Sequence, residues 1–238
     1  MLILAFESSA KAASVAVTKD EQLLALYTVD NGLTQSELLM PMAESILKSL
    51  HLSFSDVELL ATTAGPGSFT GVRIGTSLIK GMAFARNIPC SAVSTVEALA
   101  KNAVGLSGII VPVMDARRSQ VYTALFRSDG EELVRLTEDK AIPLTELAEQ
   151  LKEYVGETIY LVGDGYALAH STLTDCGVHL EKTPPLLITE NAYSVAMIAL
   201  EKHRRGESVK DRDIKPTYLR LPQAERERLE RLQNENKN

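Results

Sequence analysis

Apolar residues recur along the chain in two rhythms, one of period two and one near 3.6. Leu2 to Phe6 is a short apolar run. Ser14 to Thr18 and Gln22 to Tyr27 follow it across Lys19, Asp20 and Glu21, which predicts three antiparallel strands in a meander. Leu38, Leu39, Met42, Ile46, Leu47 and Leu50 then fall at helical spacing, and Thr34 with Glu37 supplies a capping-box start to a helix over 34–50. Val57 to Ala61, continued by Thr62 and Thr63, reads as a buried strand that runs into Gly65, Pro66 and Gly67. A helix over 70–86 comes next, with Gly71, Gly75 and Gly81 in its interior. Each interior glycine costs about 1 kcal/mol relative to alanine, so three in one helix predict a very close neighbour. A short strand at Ile88 to Ala92 and a helix from Thr95 complete this half.

The second half repeats the order. Ile109 to Met114 is an apolar strand ending at Asp115, as Leu2 to Phe6 ends at Glu7. Val121 to Phe126 and Glu132 to Leu136 are the next strands, with Asp129-Gly130 as their turn. A helix at Thr145 to Tyr154, a strand at Thr158 to Val162 entering Gly163-Asp164-Gly165, a helix near Ala167 to Leu173, a short strand at Val178 to Leu180 and a helix from Ala192 to Arg204 finish it. Both halves thus read βββαβαβα, with Ile3 opposite Val111 and no letter-for-letter repeat. The expected division is an N-terminal domain over 1–103, a C-terminal domain over 104–222 and a charged tail over 223–238. Helix 191–204 is free to pack back on the first domain.

Composition narrows the classes. The chain is 45% apolar and 24% charged, and no apolar run approaches the roughly 20 residues a bilayer requires. Met1 to Phe6 is too short for a signal peptide and lacks a basic start. Cys90 and Cys176 have no metal-ligand spacing and read as free thiols of a reducing cytoplasm. A net charge of −6 argues against broad nucleic-acid binding by this chain alone.

A duplicated βββαβαβα order is the signature of the ribonuclease-H-like halves of the actin, hexokinase and sugar-kinase architecture, an α/β fold. Glu7-Ser8-Ser9, the run from Ala64 to Gly75, Asp115-Ala116-Arg117-Arg118 with Val121-Tyr122, Gly163-Asp164-Gly165 and Pro216-x-Tyr218-Leu219-Arg220 together resemble the TsaB (YeaZ) family. That family belongs to threonylcarbamoyladenosine synthesis on tRNA. The resemblance implies a non-catalytic scaffold that activates the paralogue TsaD, joined by the ATPase TsaE, with tRNA bound through the complex. A homodimer is expected when the chain is alone, with no membrane association.

Three groups of residues are candidates for function. Glu7, Ser8, Ser9 and Asp115 stand where this architecture holds a metal-bound nucleotide. The hairpins beside them, Ser-Ser-Ala-Lys-Ala-Ala-Ser and Ala-Arg-Arg-Ser-Gln, lack the glycines that let backbone N–H groups approach a phosphate. A vestigial cleft is therefore expected, with no cofactor of its own and at most weak or shared nucleotide binding at a complex junction. Leu38, Leu39, Met42, Ile46, Gly71, Val72, Arg73, Gly75, Leu78, Ile79 and Met82 are expected to form a partner face. There Gly71 and Gly75 would admit a partner's helix, and Ile74, Ser77, Gly81 and Ala85 would mark a second side of the same helix. Arg117 and Arg118 are candidates for contact with tRNA or a partner carboxylate. His51, His170, His179 and His203 offer no helical pair for a metal, so no metal site is expected. Two rival readings stay open: an ATP-dependent small-molecule kinase or ATPase of the same architecture, and a peptidase acting on TsaD.

Overall fold

A computed structural model describes residues 1–220; the expected tail over 223–238 lies outside the described residues. Strands β1 (Leu2–Glu7), β2 (Ala13–Lys19), β3 (Gln22–Val29), β4 (Leu59–Thr63) and β5 (Cys90–Val93) form one sheet in the order β3-β2-β1-β4-β5. The meander is antiparallel, with Ile3 opposite Thr18, whereas β1, β4 and β5 run parallel, with Ile3 opposite Leu59. Parallel strands need crossovers, and helices α1 (Gln35–Ser49) and α2 (Phe69–Phe84) supply them. The start of α1 follows the capping rule: the Glu37 carboxylate accepts the Thr34 N–H at 2.9 Å.

Strand β1 is buried on both faces, which is why its sequence is a continuous apolar run rather than an alternation. Leu4 and Phe6 enter a core with Leu39, Met42, Ile46 and Ile79 beneath α1 and α2. Ile3 and Ala5 enter a second core on the opposite face, with Val195, Ala196, Ile198 and Ala199 of helix α7 (Ala192–Arg204). That helix packs on β1, β2, β4 and β5, and also on α3 (Thr95–Asn102). A helix so placed must be apolar nearly all round, and Ala192 and Ser194 through Leu200 are buried.

The second half is built on β6 (Ser107–Asp115), β7 (Gln120–Thr123), β8 (Phe126–Asp129), β9 (Leu133–Arg135), β10 (Lys140–Pro143) and β11 (Ile159–Val162), with α4 (Leu144–Leu151), α5 (Tyr166–Asp175) and the short α6 (Pro185–Ile188). It follows the same plan with two departures. Val113 pairs with Thr123 and Ile110 with Phe126, a single register, so β7 and β8 are one strand interrupted at Ala124–Leu125. The third strand is split there too, because the N–H groups of Leu136 and Thr137 both turn to the Leu125 carbonyl. The strand expected at Val178 to Leu180 is reduced to one bridge between Tyr160 and Glu181, and Pro184 and Pro185, without N–H donors, close off further pairing. The architecture is the duplicated ribonuclease-H-like α/β plan expected from the order of elements. No helix among the described residues is long and apolar enough to cross a membrane.

After α7 the chain returns to the first half, where Val209 and Cys90 exchange two 2.9 Å hydrogen bonds. Residues 216–220 then cross both halves as a strap. The Thr217 N–H donates to the Ala64 carbonyl at 2.6 Å, and the Arg220 guanidinium donates to the Ala116 carbonyl.

Candidate functional site at the junction of the two halves

The two most distinctive motifs of the sequence meet each other. A Cβ on Gly67 would strike the Ser9 carbonyl oxygen, and one on Gly71 would strike that of Ser8. One on Gly75 would strike Ser8 Oγ and come within 2.7 Å of Thr62 Oγ1. The glycines therefore let α2 press onto the Glu7-Ser8-Ser9 turn. The contact is reinforced where the Ser8 hydroxyl donates to the Gly71 carbonyl at 2.9 Å and the Ser68 N–H donates to the Ser9 carbonyl at 2.7 Å. Gln35 Nε2 at the start of α1 donates to the Ala10 carbonyl at 2.7 Å, so both helices hold this hairpin.

Glu7 is sealed by this packing. It is 0% exposed, and its Oε1 accepts both the Ser9 N–H at 2.6 Å and the Ser9 hydroxyl at 2.5 Å. Its Oε2 has no hydrogen-bond partner among the described residues. Burial pushes the carboxyl above its usual range, against the opposing pull of the Ser9 donors.

Asp115 is placed differently. Gly163 and Gly165 of the β11–α5 turn press onto the backbone of Val113, short of the strand's end, and Asp115 remains exposed. It lines a cleft of about 650 Å³ with Ser9, Lys11, Gln35, Phe69, Arg73, Arg117, Tyr122 and Asp164. The hairpin beyond it turns without glycine: Arg117, Arg118 and Ser119 take φ of 66°, 56° and 55° in succession. Left-handed backbone costs roughly 1–2 kcal/mol per such residue. Asp115 Oδ1 holds the turn by accepting the Arg117 N–H at 2.7 Å, and the Ala116 N–H closes it on the Gln120 carbonyl at 3.0 Å.

The strap packs against the cleft wall at Phe69 and Arg73. Tyr218 stacks on Phe69 with ring centroids 4.5 Å apart, and Arg73 Nε donates to the Tyr218 hydroxyl at 2.8 Å. The Arg73 guanidinium lies 5.5 Å from the Tyr218 ring centroid and 5.8 Å from that of Phe69. A cation in the first turn of a helix opposes its dipole, and these aromatic contacts from the chain itself hold Arg73 there.

The expected partner face needs correction. Leu39, Met42, Ile46, Val72 and Ile79 are buried inside the chain, all but Val72 within the core under α1 and α2. Gly71 and Gly75 are closed against Ser8 and Thr62, so no partner helix reaches them. A bulky residue at Gly75 would collide with the protein's own strand. Leu38, Arg73, Leu78 and Met82 keep solvent contact, and the side of α2 that faces outward is the second one, with Ile74, Ser77, Gly81 and Ala85. Gly81 has open space above it and Phe84 is 76% exposed. The expected cleft set also divides: Asp115 and Ser9 line the cleft, while Glu7 and Ser8 lie beneath it. Arg117 and Arg118 are exposed at the hairpin.

Two acidic residues and the Phe69–Tyr218 pair join the site unanticipated, and Phe84 joins the outer side of α2. Asp164 lines the cleft, and Glu190 lies 3% exposed behind it. Asp164 was within reach of the sequence, because Gly163-Asp164-Gly165 follows β11 as Gly65-Pro66-Gly67 follows β4. Nothing local marks Glu190, Phe84 or the pairing of Tyr218 with Phe69, all of which depend on tertiary packing.

The chain is similar to proteins already known. The family model described as TsaD, tRNA N6-adenosine threonylcarbamoyltransferase, matches residues 34–228. The tRNA threonylcarbamoyladenosine biosynthesis protein TsaB of Bacillus subtilis (strain 168) is 31% identical, over 97% of this chain and 99% of its own length. TsaB of Escherichia coli (strain K12) is 30% identical over 92% and 95%. Among solved structures, YeaZ from Pseudomonas aeruginosa has a TM-score of 0.73 at 24% identity, with 92% of this chain and 99% of that one covered. The component A of (R)-2-hydroxyglutaryl-CoA dehydratase from Acidaminococcus fermentans shares the fold at a TM-score of 0.52 and 13% identity, over 86% and 99%.

Proposed function

From the premise that this chain belongs to the TsaB family of tRNA threonylcarbamoyladenosine biosynthesis proteins, we propose that it acts as a non-catalytic scaffold that binds and activates TsaD. The observation that carries this reading is the outer side of α1 and α2. Leu38 and Met40 on α1, with Ile74, Leu78, Met82 and Phe84 on α2, present partly or largely exposed apolar side chains from two neighbouring helices. Exposed apolar side chains on two neighbouring helices suit a protein interface. Two helices of TsaD laid on it would make a four-helix bundle, with Gly81 giving a partner side chain room to approach.

The mechanism is a shift of population: TsaD bound in this way is held in its competent arrangement, completing a platform for TsaE and tRNA in the cytoplasm. Without TsaD the same face serves a homodimer. The junction supports a cleft that has lost nucleotide chemistry, because the Ser8 and Ser9 carbonyls and the Glu7 carboxylate are engaged with α2 and with each other. Arg117 and Arg118, exposed at the cleft hairpin, would meet tRNA or an acidic group of the partner.

Calorimetric titration of purified TsaD into this protein tests the reading. Leu78→Asp and Phe84→Asp should each weaken binding at least tenfold and lower threonylcarbamoyladenosine formation in the reconstituted mixture, while Asp115→Ala leaves affinity unchanged. Unaltered affinity in both helix variants overturns the proposed face. ATP hydrolysis or phosphorylation of a metabolite by the isolated chain, abolished by Asp115→Ala, would establish the kinase reading instead.

A further inference from the structure

The edge of a sheet offers a row of N–H and C=O groups to any other strand, and proteins cover, shorten or charge their edges to refuse it. Most edges here are managed in that way. β5 is capped where Cys90 and Val209 exchange their backbone hydrogen bonds. The outer side of β11 is met by the segment 181–188, where the Glu181 N–H donates to the Ile159 carbonyl at 2.8 Å and the Thr183 hydroxyl to that of Leu161 at 2.7 Å. β9 is three residues long, and β10 is four, with exposed Lys140 and Pro143 at its ends. β3 is the exception among the described residues. It is eight residues long, pairs with β2 alone, and carries no charged residue and no proline from Gln22 to Val29.

The direction of its free groups follows from its pairing. Ser14 Oγ of β2 donates to the Tyr27 carbonyl at 3.0 Å, so the Tyr27 backbone points toward β2. Alternate residues of an antiparallel ladder point to opposite sides, which turns the N–H and C=O of Leu26 and Thr28 outward. The Ser14 and Thr28 hydroxyls lie 2.9 Å apart, the close spacing of a pair that exchanges no backbone bonds. The register irregularity between β2 and β3 falls before Ala25, so 25–29 is regular strand. Among the described residues no backbone group from outside β2 bonds to it. Leu23 and Leu26 are 40% and 37% exposed, while Leu24, Ala25, Tyr27 and Val29 pack toward the core under α1 and α2.

We propose that β3 is a self-pairing edge: two copies of this chain join antiparallel through 25–29, about a two-fold axis at Tyr27, into one continuous sheet. Leu26 of each copy then stands opposite Thr28 of the other, and the outward N–H and C=O groups of both are satisfied. Tyr27 faces its own counterpart, an aromatic cross-strand pair at the closer, non-hydrogen-bonded spacing. The charges that flank the strand admit a second copy. Asp20 is neutralised by the Met1 amino group at 2.9 Å, and Glu21 by Arg204. Asp30 meets Leu24 of the other copy. It lies roughly 20 Å from the second Asp30 by strand rise, beyond a Debye length of about 8 Å. The residues that pair are not those of the outer side of α1 and α2, so the two contacts are separable by mutation.

The test is sedimentation of the full chain in the Leu78→Asp background, which silences the face proposed for TsaD. That protein should still dimerise. Adding Leu26→Lys should raise the dissociation constant at least tenfold, because an edge lysine opposes pairing and leaves the β2 ladder intact. A monomer in the Leu78→Asp background, or a dimer that Leu26→Lys leaves unchanged, overturns the proposal without bearing on the titration with TsaD. Amide exchange of the wild-type chain gives a second reading that depends on no variant's folding. Exchange at Leu26 and Thr28 should slow as protein concentration rises, while Tyr27 stays protected by β2 throughout. Exchange there that ignores concentration overturns the proposal. So does protection that arrives only with added TsaD, which would make a foreign strand the occupant.

Discussion

Glu7 and Asp115 end equivalent strands of two halves built on one plan, yet one is sealed and the other stands in an open cleft. The difference comes from how near the following helix comes. In the first half α2 presses onto the turn beyond the strand, meeting Ser8 and Ser9. In the second half Gly163 and Gly165 meet Val113, before the strand has ended. Where the glycines meet each strand therefore separates a sealed structural carboxylate from one that lines the cleft, with topology unchanged. The glycines that set this approach are the cause, and they are the place to break the comparison.

Gly71→Ala should have the largest effect. Its Cβ would overlap the Ser8 carbonyl oxygen, a backbone atom that cannot turn aside, so α2 must shift at a cost of about 3 kcal/mol or more. Gly165→Ala, whose Cβ would lie 3.0 Å from the Val113 carbonyl oxygen, asks only a small adjustment and should cost about 1 kcal/mol. Gly81→Ala, on the open side of α2, should stabilise by about 0.5–1 kcal/mol through helix propensity. Urea unfolding of the three variants ranks them, and equal losses at Gly71 and Gly165 would refute the account of why the two carboxylates differ.

The carboxylates themselves come next. Glu7→Ala leaves a cavity and strands the Ser9 hydroxyl, and should cost about 2–3 kcal/mol. Asp115→Ala removes one exposed hydrogen bond to the Arg117 N–H and should cost about 0.5–1 kcal/mol. Charge sharpens the contrast. The Glu7 carboxyl is raised, so ionising it costs stability as pH climbs above the ordinary carboxyl range, and Glu7→Gln should flatten that part of the unfolding profile.

The order of strands and helices was legible because doubly buried strands write themselves as apolar runs and helices as 3.6-residue stripes. Thr34 and Glu37 likewise marked a helix start that the structure keeps. What could not be read was the direction each glycine faces. Gly71, Gly75 and Gly81 all signal a close approach in sequence, but two meet the chain's own turn and the third meets nothing. Periodicity also put Leu39, Ile46 and Ile79 on a helix face without saying that the face is the core. The fifth strand of the second sheet failed for a related reason: apolar letters at Val178 and Leu180 record burial, and burial there needs no ladder.

The smallest effect separates the strap from the helices it crosses. Tyr218 ties the strap to α2 through its stack on Phe69 and the bond from Arg73, and it is 42% exposed. Such contacts contribute about 1 kcal/mol together at a half-solvated site. Tyr218→Phe keeps the stack and loses the hydrogen bond, so it should lose less than half as much as Tyr218→Ala. A double-mutant cycle of Tyr218→Phe with Arg73→Met measures the pair directly. A coupling near zero would mean that Arg73 is held at the helix start by its aromatic contacts alone, and that the strap fixes the cleft through its backbone bond to Ala64.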